Sequence, residues 1–292
     1  MELRKTNRSQ AKIRLALQGP SGSGKTYSSL LIAHGLCNDW TKIAVIDTEN
    51  KSADLYAHLG EYNVITLSAP FSPERYAEAI EKCENAEMEV IIIDSLSHEW
   101  EGDGGILDTH SQMIGNSFTN WSKVTPRHNA LVKRMLSSNA HIIATVRSKQ
   151  EYVLAEKNGK QVPEKVGMKG IQRDGLEYDF TIVFELDITN NASCTKDRTQ
   201  QFSKNIPYKL NEKIGERITM WCTQIKPKDD KYIRDLINIC KSVDALKNLY
   251  QTNKFAKGNE EWFKRRVDQI KREEDVKNYV KIRSNGHDSK FE

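Results

Sequence analysis

Residues 19–26 read Gly-Pro-Ser-Gly-Ser-Gly-Lys-Thr and directly follow a short apolar run at residues 13–17. The octapeptide matches G-x-x-x-x-G-K-[ST], the phosphate loop that joins a strand to a helix. Glycines let successive backbone N–H groups turn towards phosphate oxygens, and the following helix points its positive end at the same anion. The motif therefore predicts a bound nucleotide. The predicted nucleotide-binding residues are Gly19, Pro20, Ser21, Gly22, Ser23, Gly24, Lys25, Thr26 and Tyr27.

Two side chains of this loop have separate chemical tasks. Lys25 is expected to reach the β- and γ-phosphates, and the Thr26 hydroxyl is expected to occupy one position on an octahedral Mg²⁺. The predicted cofactors are therefore ATP and Mg²⁺. The alternative is a glycine-rich turn that only buries a lysine stem.

Carboxylates stand where two apolar runs end. Asp94 follows Val90–Ile93, and Glu49 comes two residues after Asp47. Ligands of open α/β sheets bind beyond the carboxyl ends of the strands. Asp94 is therefore predicted to hold Mg²⁺ opposite Thr26, and Glu49 to orient or deprotonate the attacking water. A solvated carboxylate after a strand is the alternative in each case.

A further apolar run, residues 140–146, ends close to Thr145 and Arg147. A side chain at this position can sense the γ-phosphate and couple hydrolysis to the following loop. Thr145 and Arg147 are therefore predicted sensor residues, although Arg147 reads equally well as a surface cation.

Alternating strands and helices are needed to bring these residues together. Short apolar runs rich in β-branched residues predict strands, and their continuous hydrophobicity favours a parallel sheet covered on both faces. The predicted strands are residues 13–17, 42–47, 63–67, 90–93, 140–146 and 180–186, and the predicted helices are 25–36, 52–59, 72–86 and, from about Pro126, 126–138. This order predicts a three-layer α/β fold with a mostly parallel sheet.

The last part of the chain has a different pattern. Residues 229–280 contain one glycine, Gly258, and apolar residues recur there at helical spacing. We therefore expect an ATPase domain over residues 1–227, and a small helical appendage with a polar tail over residues 228–292.

Composition excludes several classes of protein. The formal net charge of the 292 residues is +4, with 44 basic and 40 acidic residues interspersed, which permits nucleic-acid contact without arguing for it. The five cysteines are scattered and form no C-x-x-C pair, which disfavours a disulfide framework and a zinc site. No signal peptide or membrane-length apolar stretch is present, so a cytoplasmic location without a membrane partner is expected.

Longer strings resemble a known family. Asp47-Thr48-Glu49 resembles the Asp-Thr-Glu of RecA/Rad51/RadA-type recombinases, where the glutamate is the catalytic carboxylate, and residues 92–95 resemble their Walker B strand. Residues 94–100, 172–178 and 196–198 are most similar to the phage-encoded RecA-like ATPases of the Sak4 type, which are small single-strand-annealing recombinases. The resemblance covers roughly residues 12–200. It implies a RecA-like P-loop NTPase core.

The pair Lys196-x-Arg198 resembles the cations that RecA-like hexameric ATPases project towards the γ-phosphate of a neighbouring subunit. A cation supplied in trans stabilises the transition state of phosphoryl transfer. The resemblance thus adds Lys196 and Arg198 to Lys25 and Glu49 as predicted catalytic residues. A charged strand end or turn is the alternative.

Two long segments, residues 98–120 and 148–175, match the positions of the two DNA-binding loops of RecA-like proteins. The second reads as a hairpin around Asn158-Gly159. Basic groups there can neutralise phosphates, and a tyrosine can stack on a base. The predicted DNA-binding residues are Lys149, Tyr152, Lys157, Lys160, Lys165, Lys169 and Arg173. Three glutamates dilute the charge, so a solvated hairpin or a subunit contact is the alternative.

The combined prediction is a Mg²⁺-dependent, DNA-stimulated ATPase that promotes annealing or strand exchange in phage-type recombination, in the cytoplasm of a phage host. Its expected partners are single-stranded DNA and further copies of the chain, in a ring or a filament. A single-strand-binding protein is a candidate further partner. The alternatives are a small-molecule kinase, and an ATP-controlled assembly or defence protein that does not bind DNA.

Overall fold

The computed structural model describes the backbone of residues 8, 11–157, 160–202, 207–223, 237–238, 240, 243–252 and 260–285. Within these ranges, the side chains of residues 150–168, 244, 245, 248, 251, 252 and 274–285 are outside the description. The chain divides into two compact units, Met1–Thr223 and Gln224–Glu292. Residue 227, where the sequence predicts the division, lies outside the described residues, so that boundary stays a prediction.

An eight-stranded sheet forms the centre of the first unit. Its strands are β1 (Arg14–Gly19), β2 (Ile43–Asp47), β3 (Asn63–Thr66), β4 (Val90–Asp94), β5 (His141–Lys157), β6 (Lys160–Gly170), β7 (Ile182–Leu186) and β8 (Ala192–Asp197). The order is β3-β2-β4-β5-β1-β7-β8, and β6 pairs with β5 outside this path. In this order, the six strands β3, β2, β4, β5, β1 and β7 run parallel to one another. Strand β8 is antiparallel to β7, and β6 is antiparallel to β5.

Helices cover both faces of the sheet. The α-helices of this unit are α1 (Lys25–Cys37), α2 (Pro73–Asn85), α3 (Ser97–Glu101), α4 (Ile106–Ser111), α5 (Ser117–Ser137) and α6 (Glu212–Cys222). Residues of α1 and α6 pack on one face in one apolar core, and residues of α2 and α5 pack on the other face in a second core. The predicted three-layer α/β fold is therefore confirmed, because each central strand is buried on both sides as its apolar run indicated.

The second unit contains, within its described residues, α7 (Val243–Thr252) and α8 (Glu260–Asn285). Ile237, Leu246, Phe263 and Ile270 form its small apolar core. No helix in the described part of the chain is long and apolar enough to span a membrane.

The segment between β4 and β5 differs from its prediction. The helix expected from about Pro126 begins nine residues earlier, at Ser117, and the loop expected over residues 98–120 contains α3, α4 and the first turn of α5. The Asn116 side chain accepts hydrogen bonds from the N–H groups of Phe118 and Thr119, which supplies the helix start. Proline is well tolerated in a first turn, and here Pro126 instead lies inside the helix without ending it.

Two strands also differ from their predictions. The strand expected over residues 140–146 continues to Lys157, so the predicted hairpin is an extension of β5 paired with β6. Strand β8 was not predicted, because its sequence Ala-Ser-Cys-Thr-Lys-Asp lacks the apolar run of a central strand. An antiparallel edge strand needs fewer apolar residues than a strand buried on both faces.

An arginine closes the carboxyl end of α5. Arg14 is 5% exposed, and its guanidinium group donates hydrogen bonds to the carbonyls of Ile13, Leu136, Ser138 and Ala140. Burial lowers the pKa of Arg14 to about 10, although the Glu84 carboxylate partly offsets this. The side chain thus satisfies carbonyls that the helix end leaves without partners.

Arg14→Met is expected to lower the free energy of unfolding by about 3 kcal/mol, because several buried carbonyls lose their donor together. Urea unfolding measures this change. Arg127→Met is the matched control: Arg127 pairs with Glu74 at the surface, and its loss should cost less than about 1 kcal/mol. Equal stability of the two variants would contradict the structural role of Arg14.

Candidate nucleotide site

The phosphate loop lies between the end of β1 at Gly19 and the start of α1 at Lys25. Gly22 and Gly24 have φ values of +79° and +80°, the left-handed region that side chains other than glycine rarely adopt. The Ser23 hydroxyl is buried and has no hydrogen-bond partner among the described residues. A left-handed glycine loop with an unsatisfied polar atom at a helix N-terminus fits an anionic ligand that supplies the missing partner.

Lys25 folds back along this loop. Its ammonium group donates hydrogen bonds to the carbonyls of Gly19, at 2.9 Å, and Pro20, at 2.8 Å. Burial lowers the pKa of Lys25, while the charges of Asp94 and Glu49 raise it and that of Arg147 lowers it further. All three charges therefore act on the ammonium group at the phosphate loop.

Asp94 joins the phosphate loop to β5. Its carboxylate accepts hydrogen bonds from the hydroxyls of Thr26, at 2.6 Å, and Thr145, at 2.5 Å. Asp94 is 2% exposed, and burial raises its pKa although both hydroxyl bonds lower it. The structure thus brings Thr26 and Asp94 together, as the sequence predicted, and adds Thr145 to them.

A hydroxyl and a carboxylate are hard oxygen donors of the kind that Mg²⁺ prefers. No cluster of three or more His, Cys, Asp or Glu side chains arranged for a metal occurs within the described residues. Mg²⁺ commonly keeps several waters and takes further oxygens from substrate phosphates. The residues present therefore fit a magnesium ion held jointly by Thr26, Asp94 and a nucleotide.

Glu49 and Arg147 form a two-point ion pair at the same edge of the sheet. Arg147 Nε donates to Glu49 Oε1 at 2.8 Å, and a terminal guanidinium nitrogen donates to the other carboxylate oxygen. Burial raises the pKa of Glu49, but hydrogen bonds from Arg147 and Ser95 outweigh it, so the net shift is downwards. The two residues come from different strand ends, after β2 and within β5.

Asp47 and Thr48 hold the turn that carries Glu49. From the sequence, both residues were noted only as part of the Asp-Thr-Glu motif. The Asp47 carboxylate accepts from the N–H groups of Glu49, at 2.7 Å, and Ala53, at 2.8 Å. The Thr48 hydroxyl accepts from the N–H of Ser95 and lies 2.8 Å from His98 Nδ1. The turn that carries Glu49 is thereby fixed to the segment that follows β4.

Aromatic side chains flank the phosphate loop. Tyr27 is 41% exposed, and its ring centroid lies 5.9 Å from that of Tyr56, in the 3₁₀ helix Ser52–Leu59. Asn190 donates a hydrogen bond to the carbonyl of Gly22. The sequence predicted Tyr27 but missed Tyr56 and Asn190, since neither belongs to a motif. This surface has the aromatic character on which a nucleobase can stack.

The structure does not bring Lys196 and Arg198 to the phosphate loop of their own chain. Lys196 pairs with Val183 in the β7–β8 ladder, and the Arg198 N–H bonds to the carbonyl of Thr181. Across the sheet, these positions lie beside the first residues of β1. The carboxyl end of β1, where the phosphate loop begins, is about 13 Å further along the strand. Both side chains donate to backbone carbonyls of residues 177–178. Their action on a neighbouring subunit stays a prediction.

The predicted DNA-binding residues lie along β5 and β6 and just after β6. The side chains of Tyr152, Lys157, Lys160 and Lys165 are outside the described residues, although the backbone register pairs Tyr152 with Lys165 and Lys157 with Lys160. Lys149 is exposed, Lys169 forms an ion pair with Asp174, and Arg173 donates to Asn129. Lys149, Lys169 and Arg173 line one cleft of about 510 Å³.

Two tryptophans also line this cleft. Trp100, in α3, and Trp121, in α5, have ring centroids 6.0 Å apart and nearly parallel rings, and His110 stacks on Trp121 at 4.2 Å. Beneath them, the buried His128 contacts both Trp100 and the carboxylate of Glu99. Trp100 and Trp121 lie at the two ends of the segment that the sequence predicted as a loop, residues 98–120. The contact between the two rings depends on α3, α4 and the early start of α5, which the sequence did not predict.

A family model described as an AAA domain matches residues 11–225, which include every strand of the sheet and helices α1 to α6. A search of curated proteins finds no match. The family match agrees with the predicted α/β fold. The finer resemblance to RecA/Rad51-like and Sak4-type ATPases stays a prediction. The chain belongs to the AAA domain family and has the fold of a P-loop ATPase.

Proposed function

We propose that the protein is a Mg²⁺-dependent ATPase that binds single-stranded DNA and promotes annealing or strand exchange, in an assembly with other copies of itself. The observation that carries the DNA part is the cleft that is lined by Trp100 and Trp121 together with Lys149, Lys169 and Arg173. Proteins that bind single-stranded DNA without sequence preference usually combine stacking aromatic rings with cationic side chains.

In the proposed hydrolysis, the phosphate loop binds the triphosphate and Lys25 leaves the carbonyls of Gly19 and Pro20 to contact the β- and γ-phosphates. Thr26 and Asp94 would hold Mg²⁺, which would offset charge on the phosphate oxygens. Glu49 orients the attacking water and accepts its proton. Arg198 of a neighbouring copy would stabilise the transition state, which makes turnover depend on assembly.

The position of the cleft supports coupling between DNA and nucleotide. Arg147, at the nucleotide site, and Lys149, in the cleft, are two residues apart on β5, so their side chains leave the same face of the strand. Gln172, which lines the cleft, donates to the carbonyl of Leu96 and to Glu99, just beyond Asp94. DNA in the cleft would therefore contact residues that are joined directly to the ATPase site.

Trp121→Ala is expected to weaken binding of a fluorescent oligonucleotide by about 5- to 100-fold, because one stacked base is worth roughly 1–3 kcal/mol. Fluorescence anisotropy at several salt concentrations measures this change. Phe118→Ala is the matched control, since Phe118 lies on the same helix and is 86% exposed but does not line the cleft. Unchanged affinity in Trp121→Ala would remove the cleft as the DNA site.

Formation of ADP with and without the oligonucleotide, and with candidate small acceptors, then separates the proposed function from its alternatives. Stimulation by DNA supports the recombinase, whereas turnover that requires a small acceptor would indicate a kinase. Turnover that is indifferent to DNA, in a protein that binds none at low salt, would indicate an ATP-controlled assembly protein.

A further inference from the structure

The carboxylate of Glu49, which the proposed hydrolysis requires, is engaged in an ion pair with Arg147. Two guanidinium nitrogens donate to the two carboxylate oxygens, and the side chains are only 22% and 39% exposed. A fork-to-fork contact of this kind is directional and charge-assisted, so it competes strongly with water for the carboxylate. In the arrangement described, Arg147 holds the carboxylate of Glu49.

A general base must reach the proton that it accepts. In this pair each oxygen of Glu49 accepts a hydrogen bond from Arg147, which directs the carboxylate at the guanidinium group, and these hydrogen bonds lower the pKa of Glu49 and make it a weaker base. The backbone N–H of Arg147 also bonds to Ser97 Oγ at 2.9 Å, which fixes the strand from which the guanidinium extends. The pair therefore describes an inactive arrangement of the site.

The charge of a triphosphate acts oppositely on the two partners. Arg147 pairs with Gly19 of the phosphate loop in the ladder between β1 and β5, and its ion pair holds Glu49 at the same place. A γ-phosphate bound there attracts the guanidinium and repels the carboxylate. A diphosphate lacks the group that would do this.

We propose that Arg147 withholds Glu49 from water in the nucleotide-free and diphosphate-bound protein, and that the γ-phosphate of ATP releases Glu49 by drawing the guanidinium to itself. Arg147 is then a positioning residue that links base activation to the presence of the substrate. The inference rests on the proposed hydrolytic role of Glu49, but not on the binding of DNA.

Nuclear magnetic resonance of the arginine Nε–H group tests this directly in the full chain, without hydrolysis. The Arg147 signal is assigned by its loss in Arg147→Lys. We expect the same position without nucleotide and with Mg²⁺ and ADP, and a shift on addition of a non-hydrolysable ATP analogue. Nucleotide-free Glu49→Gln, which lacks the charged partner, should already show a signal displaced from the paired position.

Arg127 provides the control, because its Nε and a terminal nitrogen form the same two-point pair with Glu74, and its signal should stay in place in every state. An Arg147 signal that does not move with the analogue, or that moves equally with ADP, would overturn the proposal. Glu49→Gln separates this failure from a failure of the hydrolytic role. Normal turnover in that variant would remove Glu49 as the base, whatever the Arg147 signal does.

Discussion

Glu49→Gln is expected to reduce ATP hydrolysis by about 10²- to 10⁴-fold while ATP binding is retained. The amide keeps the size of the carboxylate and its place beside Arg147, but it cannot accept a proton from water. The residues that contact the phosphates and the magnesium ion, Lys25, Thr26 and Asp94, are unchanged. Affinity should therefore stay within a few-fold of the wild-type value.

Phosphate release at saturating ATP and equilibrium titration with a fluorescent nucleotide measure the two quantities separately. Glu61→Gln, which changes an exposed glutamate before β3, is the control and should hydrolyse ATP normally. Normal turnover in Glu49→Gln would transfer the base to another carboxylate. Loss of binding in the same variant would instead indicate that Glu49 organises the phosphate loop.

Gly35→Ala is expected to lower the free energy of unfolding by about 3 kcal/mol, the upper part of the range for overpacked cores. Helices α1 and α6 cross so closely that a Cβ at Gly35 would lie 2.0 Å from the carbonyl oxygen of Glu212, and one at Gly215 would lie 2.2 Å from that of Ile32. Helix propensity alone predicts the opposite sign, since alanine is favoured over glycine by about 1 kcal/mol.

Urea unfolding of Gly35→Ala, Gly215→Ala and the double variant tests this contact. Because both substitutions force the same pair of helices apart, the double variant should lose less stability than the sum of the single variants. A stabilised Gly35→Ala, or strict additivity, would show that the helices separate freely. Since α1 also carries Lys25 and Thr26, the single variants should bind nucleotide more weakly as well.

The parts of the fold that the sequence predicted depend on local patterns. The phosphate loop was readable because Gly22 and Gly24 adopt conformations that other residues avoid. Strands β2 and β4 were readable because burial on both faces requires a continuous apolar run. The position of Asp94 followed directly, since a strand-end carboxylate in a parallel sheet lies at the ligand-binding edge.

The parts that it did not predict depend on contacts distant in the chain. Lys196 and Arg198 lie away from the phosphate loop because β8 turns back along β7, and a motif of three residues carries no information on strand direction. The meeting of Trp100 with Trp121 required α4 and the early start of α5. The pairing of Glu49 with Arg147 joins residues 98 positions apart, and neither residue's local sequence indicates the other.

Strand β5 extends far beyond the nucleotide site. Up to Arg147, β5 pairs with the parallel strand β1, and Gly19 of the phosphate loop is the partner of Arg147. From Ser148 onwards, β5 pairs with β6. The ten residues that follow Arg147, up to Lys157, extend the strand by about 33 Å. A tilt of roughly 10° at Arg147 would therefore carry the far end through about 6 Å, by the strand rise alone. Any small rotation of β5 at the nucleotide site would be enlarged in this way at the far end of the strand.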